Sequence, residues 1–349
     1  MVKHSENIIV GVSIGDMNGI GPEVILKTFD DTRMLEICTP VIFANTKIVS
    51  FLKKSYNLNA FIQGIDKLDQ IVLGKINVLN VWREGINLEN GKLDDVIGKY
   101  AIKSFQAATT ALKNNQIDVL VTAPINKYNI QAEDYKFAGH TDYLNEQLEG
   151  DALMFMIHED IKVGLITDHV PIAELSKHIN SKLIEKKITT INKSLISDFK
   201  INTPKIAVLG LNPHSGDNGV IGKEDDEIVK PSLEKIFKSG IQVFGPFSAD
   251  SFFGSNQYKN YDAVVAMYHD QGLIPFKTLS FGEGVNFTAG LNKIRTSPDH
   301  GTGFDIAGKN IANESSFREA VYSAIDIYKN RIEYNELTNN PLKKASGKV

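Results

Sequence analysis

Three histidines stand at or just beyond the ends of short apolar runs that are typical of buried β-strands. They are His169, His214 and His269, three of the eight histidines in the chain. In an open α/β sheet, ligands bind at the edge formed by the carboxyl ends of the strands. A single histidine there is most often a structural hydrogen-bonding group, but imidazole is also a common ligand of divalent cations. Three histidines in equivalent positions therefore favour a metal site, although their wide spacing is not itself a metal-binding motif.

Two cations, Lys277 and Arg295, flank the glycine-containing segment 282–286. The forked guanidinium of arginine and the point charge of lysine both suit a phosphate or carboxylate group. Taken alone, either residue is more commonly a solvated surface cation. Asp270 stands next to His269 and is a candidate metal ligand, orienting group or base.

Two glycine-rich segments lie between predicted strands and helices. Segment 212–224 contains three glycines within seven residues and leads into acidic residues that suit a helix N-terminus. Segment 15–23 places Pro22 where the first turn of a helix would begin. It lacks the Gly-x-Gly-x-x-Gly spacing, so the sequence does not support a Rossmann dinucleotide site there. Each segment is either an ordinary turn or a ligand-facing loop, and the residues leave both open.

The elements that must position these residues follow from an alternation of valine- and isoleucine-rich runs with helical patterns. Unbroken apolar runs of this length are typical of strands buried on both faces. The spacing of apolar residues predicts helices over 95–114, 181–199 and 316–337, the last with a capping-box pair, Ser316 and Glu319. The alternation predicts an α/β fold with a largely parallel or mixed sheet. The predicted strands are 8–14, 40–44, 117–122, 161–167, 205–211, 241–247 and 261–268.

The composition argues against several other classes of protein. The chain has 349 residues, of which 42% are hydrophobic and 23% charged, as expected of a globular protein with a large core. Its 38 basic and 42 acidic side chains give a formal net charge of −4, which predicts neither a nucleic-acid-binding surface nor attraction to anionic membranes. Cys38 is the only cysteine, which excludes a disulfide framework. Since no apolar run is long enough to span a bilayer, we expect a cytoplasmic protein.

The length of the chain predicts two domains. The apolar pattern is interrupted after Pro124, and a second crossing between domains is expected near 299–303. The first α/β domain is therefore predicted to be discontinuous, formed by residues 1–125 together with 304–349. Residues 126–303 are predicted to form the second α/β domain.

Seven strings of residues resemble the 4-hydroxythreonine-4-phosphate dehydrogenase (PdxA) family, in the same order and over nearly the whole chain. The last string also resembles the cofactor loop HGxxxDIAGK of isopropylmalate and isocitrate dehydrogenases. The resemblance implies an isocitrate/isopropylmalate dehydrogenase-like fold, in which two α/β domains enclose a cleft. The strings are GDMNGIGPE at 15–23, TAPINK at 122–127, GHTDYL at 139–144, NPHSGDNG at 212–219, SADSFF at 248–253, AMYHDQGL at 266–273 and IRTSPDHGTGFDIAGK at 294–309.

The same resemblance implies an NAD-dependent oxidative decarboxylation of 4-phosphooxy-L-threonine to 3-amino-2-oxopropyl phosphate, a step in pyridoxal 5'-phosphate (vitamin B6) biosynthesis. It further implies one divalent ion per subunit (zinc, magnesium or cobalt) and a homodimer with the active site at its interface, where the second domain carries most metal and substrate residues. The positions that match the family's motifs are His169, His214 and His269 for the metal, His140, Thr141, Lys277, Asn286 and Arg295 for the substrate, His300, Gly301 and Asp305 for the cofactor, and Asp270 and Lys277 for catalysis.

Three rival functions follow from the same residues. A sister enzyme would oxidise a phosphorylated four-carbon sugar acid such as threonate 4-phosphate with the same metal and cofactor. An acyl-phosphate transferase on a related fold would need no metal histidines and would form no NADH. A non-enzymatic binding protein would not require three candidate metal ligands together with Asp270.

Overall fold

The computed structural model describes residues 7–131, 135–137 and 139–339 of the chain. In these residues twelve strands form one continuous sheet. The strands are β1 (Ile8–Ser13), β2 (Cys38–Ala44), β3 (Ile62–Ile65), β4 (Ile76–Asn80), β5 (Val119–Thr122), β6 (Gly150–Ile157), β7 (Lys162–Leu165), β8 (Lys205–Leu209), β9 (Gln242–Phe247), β10 (Ala263–Ala266), β11 (Val285–Leu291) and β12 (Arg295–Pro298). The α-helices are α1 (Gly21–Asp30), α2 (Met34–Ile37), α3 (Thr46–Ser55), α4 (Asp95–Lys113), α5 (His140–Gln147), α6 (Leu175–His178), α7 (Ser181–Ser197), α8 (Lys230–Lys238), α9 (Ala249–Gly254), α10 (His269–Ser280) and α11 (Ser315–Asn339).

The order of strands across the sheet is β3-β4-β2-β1-β5-β12-β11-β6-β7-β10-β8-β9. Most neighbours are parallel, but β11 runs antiparallel to both β12 and β6, and β6 runs antiparallel to β7. The sheet is therefore mixed, as the sequence predicted. The strands β7, β10 and β8, which precede the three candidate metal histidines, are adjacent and parallel. Their carboxyl ends consequently lie along one edge.

Helices cover both faces of the sheet. On one face, α7 and α11 bury side chains such as Ile188 and Phe317 in the largest apolar cluster. On the other face, α4 packs Phe105 against one half of the sheet, and α10 packs Phe276 against the other half. The arrangement is a three-layer α/β/α sandwich, which leaves the strand ends and their loops to form binding surfaces.

All seven predicted strands and all three predicted long helices are present. Runs rich in valine and isoleucine do not predict β3, β4, β6, β11 and β12, which contain polar residues or glycine or, in β6, methionine and phenylalanine. The predicted capping box of α11 is wrong, since the Ser316 hydroxyl donates to the carbonyl oxygen of Gly284 at 2.7 Å and accepts from the amide of Asp299 at 3.1 Å. Ser316 thereby ties the start of α11 to two loops instead of capping the helix.

The predicted domain division falls between β5 and β12, which are hydrogen-bonded neighbours in the continuous sheet. The division stays a prediction, and residues 1–6 and 340–349 of the predicted first domain lie outside the described residues. Among the described helices, none is both long and apolar enough to cross a membrane.

Candidate active site

A cavity of about 310 Å³ lies where β5, β6, β11 and β12 meet α5, α10 and the loops after β7 and β12. It brings together most of the residues that the sequence singled out. The predicted residues that line it are His140, Thr141, His169, His269, Lys277, Asn286, Arg295, His300 and Gly301. Lys127, the cation of the string TAPINK, lines it as well.

Arg295 is the most unusual residue of the cavity, because this charged residue is buried (3% exposed). Thr122 accepts hydrogen bonds from its Nε at 2.9 Å and its Nη2 at 2.6 Å, and Thr288 accepts from Nη1 at 3.2 Å. No carboxylate of the described residues forms an ion pair with it. Burial lowers the pKa of Arg295 to about 9, so the side chain remains charged at neutral pH. A buried cation held only by neutral groups is suited to an anionic ligand.

Three other residues that line the same cavity have a buried polar atom without a partner in the described residues. Nε2 of His140, Oδ1 of Asn286 and Nε2 of His300 have no hydrogen-bond partner among the residues described. Burial, together with the charge of Arg295, lowers the pKa of His140 well below 6.5, and burial likewise lowers that of His300. Buried polar atoms without partners are costly, so three of them around one cavity indicate that a ligand completes the hydrogen bonding.

Lys277 is half exposed, and its ammonium group lies 3.0 Å from a carboxylate oxygen of Asp299. It also donates to the Asp299 carbonyl oxygen at 2.9 Å. Since Ser316 holds the Asp299 amide, the loop after β12 is fixed to α11 and Lys277 is fixed to that loop. Lys277 is thus a positioned cation at the rim of the cavity.

His169 and His269 face each other across the cavity, with ring centroids 5.9 Å apart. Asp270 lies 2.7 Å from Nδ1 of His269, which leaves Nε2 of that ring available to a ligand. Nε2 of His169 lies 3.2 Å from the ammonium group of Lys127. Burial, followed by the charge of Lys127, lowers the pKa of His169 below 6.5, which favours the neutral imidazole that a metal ion requires.

His214 does not join these two histidines. It lies in the loop after β8 with a left-handed backbone (φ 54°) and lines a separate cavity with Ser248, Asp250 and Tyr268. Within one chain, the described residues contain no group of three histidine, cysteine, aspartate or glutamate side chains placed to hold a metal ion. The main cavity therefore brings together only two of the three predicted metal ligands, His169 and His269.

Two further predicted positions lie outside the main cavity. Asp305 is exposed in the turn after β12, whereas His300 and Gly301 of the same loop line the cavity. Segment 15–23 does not line it either. The Asn18 side chain accepts from the amide of Glu89 and donates to the carbonyl oxygen of Lys92, both at 2.9 Å. In this structure the segment therefore forms hydrogen bonds to the loop that contains Glu89 and Lys92.

The sequence analysis did not single out Thr122 and Thr288, the two residues that hold Arg295. Thr122 belongs to the string TAPINK, which carries part of the family resemblance but assigns no role to this residue. A threonine in a strand ordinarily indicates β-propensity, so its residue type gave no functional signal. Only the packing of neighbouring strands brings these hydroxyl groups to the guanidinium.

Comparison with known proteins identifies the family. The model of the family described as "Pyridoxal phosphate biosynthetic protein PdxA" matches residues 36–324. The chain belongs to the PdxA family. A 4-hydroxythreonine-4-phosphate dehydrogenase of Bacteroides thetaiotaomicron is 43% identical over 339 residues, which cover 97% of this chain and 93% of that protein. A relative from Oceanobacillus iheyensis, provisionally named a D-threonate 4-phosphate dehydrogenase, is 35% identical over 328 residues, which cover 93% of this chain and 98% of that protein.

The structural comparison agrees. The crystal structure of a 4-hydroxythreonine-4-phosphate dehydrogenase from Klebsiella pneumoniae superposes with a TM-score of 0.78 at 32% identity, over 92% of this chain and 99% of that one. This likeness confirms the predicted α/β fold of the PdxA family. The family assignment also confirms that the chain is an oxidoreductase of pyridoxal phosphate biosynthesis.

Proposed function

We propose that this chain oxidises and decarboxylates 4-phosphooxy-L-threonine to 3-amino-2-oxopropyl phosphate with NAD and a divalent metal ion. The observation that carries the proposal is the single cavity that combines Arg295, a buried cation without an acidic partner among the described residues, with the facing pair His169 and His269. The first feature suits an anionic substrate group, and the second suits a divalent cation.

The substrate carries two anionic groups, a phosphate and a carboxylate. Arg295 and Lys277 line the cavity and would each compensate one of these charges. Thr141 and Asn286 would fix the orientation of the remaining polar groups of the substrate. The side-chain oxygen Oδ1 of Asn286 is a buried acceptor without a partner in the described residues. A substrate hydroxyl or ammonium group would supply the missing donor.

The metal-binding proposal rests on the imidazole pair and its surroundings. The carboxylate of Asp270 lies against Nδ1 of His269 and holds the ring with Nε2 directed away from it. His169 presents a neutral Nε2, at present next to Lys127. When bound, zinc, magnesium or cobalt supplies Lewis-acid stabilisation of the negative charge that develops on the substrate. In this arrangement Asp270 acts through His269.

The third histidine supports a homodimeric enzyme. Since His214 lies in a separate cavity of its own chain, we propose that it completes the metal site of a second copy. The active site would then lie at the interface of two chains, each contributing to the metal site of the other.

NAD is proposed to bind at the loop after β12. His300 and Gly301 of that loop line the cavity. Asp305 follows four residues after Gly301 and is exposed, so that a ligand as long as NAD would extend to it from the cavity. His300 and Gly301 would hold the cofactor, and NAD, when bound, would supply the acceptor for the hydride that the oxidation of the substrate hydroxyl releases.

The deciding experiment measures NADH formation from 4-phosphooxy-L-threonine, with and without a chelator, and compares it with threonate 4-phosphate. We expect chelator-sensitive NADH formation, with the aminated substrate preferred. A preference for threonate 4-phosphate would instead assign the activity for which the Oceanobacillus iheyensis relative is named. Failure to form NADH from either substrate, with metal added, would refute the proposed dehydrogenase activity.

A further inference from the structure

Three neighbouring strands build the surroundings of Arg295. In the order β5-β12-β11, Arg295 on β12 is the register partner of Leu120 on β5, so Thr122 lies two residues further on the same face. On the other side, Thr288 lies one position beyond the pairing of Phe287 with Thr296. Both hydroxyl groups therefore reach the guanidinium from strands that flank it.

The contacts of Arg295 within the described residues use four of its five N–H groups. Thr122 accepts two of them, from Nε and Nη2, and Thr288 accepts one from Nη1. The fourth contact is between Nη2 and Nδ1 of His140, at 3.0 Å. A two-pronged grip on a ligand by Arg295 alone is therefore not available in this arrangement, and the ligand must use another donor.

His140 provides that donor. A guanidinium has no acceptor atom, so Nδ1 of His140 must accept and the ring hydrogen must reside on Nε2. Nε2 is buried and has no partner among the described residues, and His140 is one of the residues that line the cavity. Phe105 packs edge-on against the ring at 4.5 Å and fixes its plane.

We propose that Thr122 is a positioning residue, which orients Arg295 so that His140 is held as a neutral Nε2–H donor to an anionic oxygen of the substrate. Threonine suits this position better than aspartate, because a hydroxyl group accepts hydrogen bonds without neutralising the guanidinium. The charge of Arg295 then remains available to the anion, while His140 supplies the directed hydrogen bond. Only the identity of the anion rests on the proposed function.

The first test needs no variant. In full-length protein labelled with ¹⁵N-histidine, long-range ¹H–¹⁵N correlations report which ring nitrogen of His140 carries hydrogen. We expect the Nε2–H form at neutral pH, with the Nε2 proton shifted by inorganic phosphate. An Nδ1–H form would overturn the proposal, whatever substrate the enzyme uses.

The second test compares Thr122→Val with Thr122→Ser. The valine has the same shape but accepts no hydrogen bond, so we expect the His140 tautomer to become mixed and the affinity for inorganic phosphate to fall about tenfold or more. Thr122→Ser should restore both. Thr28→Val is the matched control, since Thr28 is buried on α1 and its hydroxyl has no partner in the described residues.

In turnover, the KM for the phosphorylated substrate should rise in Thr122→Val while the KM for NAD stays unchanged. A folded Thr122→Val protein with the wild-type tautomer and phosphate affinity would refute the positioning role. If Thr122→Val does not fold, two other measurements decide the question. The Nε2–H tautomer in the wild type together with wild-type phosphate affinity in Thr122→Ser would support the proposal, and the failure of either would refute it. If the His140 tautomer and the phosphate binding match these expectations but no NADH forms, the proposed function is wrong and the positioning role of Thr122 stands.

Discussion

Arg295→Met should leave the ligand-free protein at least as stable as the wild type while removing its response to phosphate. The fall in the Arg295 pKa from 12.5 to about 9 corresponds to a cost of about 5 kcal/mol for keeping this charge in the folded protein. Because the folded-state pKa is the lower one, this cost is present at neutral pH and decreases only as pH rises above about 9.

Methionine removes the charge and fills a similar volume. Removing the charge removes its desolvation cost. The substitution also takes the hydrogen-bond donor away from the acceptor atoms of Thr122, Thr288 and His140, which costs about 1 kcal/mol for each acceptor. The two contributions leave an expected change in the free energy of unfolding between zero and about 2 kcal/mol of stabilisation.

The assay is urea denaturation with and without inorganic phosphate. Wild-type protein should be stabilised by phosphate, and Arg295→Met should not respond to it. Arg331→Met is a matched control, because Arg331 pairs with buried Asp198 at 2.9 Å. Its loss leaves that carboxylate without its cation and should destabilise the fold by about 3–5 kcal/mol. If Arg295→Met were destabilised as much as Arg331→Met, Arg295 would be a structural residue and the reasoning would be wrong.

Three further outcomes are expected. Asp270→Asn should weaken metal binding about 10- to 100-fold, with activity recovered by excess metal; an unchanged metal affinity would contradict an orienting role. Mixing His214→Ala with His269→Ala chains should recover about a quarter of wild-type activity, whereas inactive mixed dimers confirmed by mass spectrometry would exclude the shared site. Because the pKa of buried His140 is well below 6.5, stability should decline as pH falls below 6.5, and His140→Gln should reduce that slope in acid denaturation.

Much of the fold was predictable because its parallel strands are buried on both faces. Strands such as β1 and β2 consist almost entirely of buried residues, so their sequences are nearly unbroken apolar runs. Several of the missed strands contain polar residues or glycine, whether or not they are buried. The edge strand β3 contains glutamine and glycine, and β11 places Asn286 toward the cavity between apolar neighbours. Their sequences therefore lack the signal that identified the others.

The candidate site was predictable at the level of the sheet edge. Strand-end logic placed His169, His214 and His269 on one side of the sheet, and the structure has them after three adjacent strands. The position of a residue after a strand does not predict that His214 lines a different cavity from the other two histidines, because the direction of its side chain depends on the left-handed backbone of the loop after β8. The expectation that an arginine lies on the solvated surface is wrong for Arg295, because its burial depends on hydrogen-bond partners that are distant in sequence.

Strand β12 shows most directly why such a site escapes local patterns. Its four residues, Arg-Thr-Ser-Pro, have the composition of an exposed turn, yet all four are buried in the middle of the sheet. They are tolerated there because Thr122 and Thr288 on the flanking strands satisfy the guanidinium, and because the Thr296 hydroxyl donates to the carbonyl oxygen of Ala320 on α11 at 2.7 Å. A polar strand at the centre of an apolar sheet thus requires three other elements to be correctly placed. Local sequence preference fails at this strand because the partners of its polar groups are distant in sequence, and the surrounding fold supplies the stability that the strand's own residues do not.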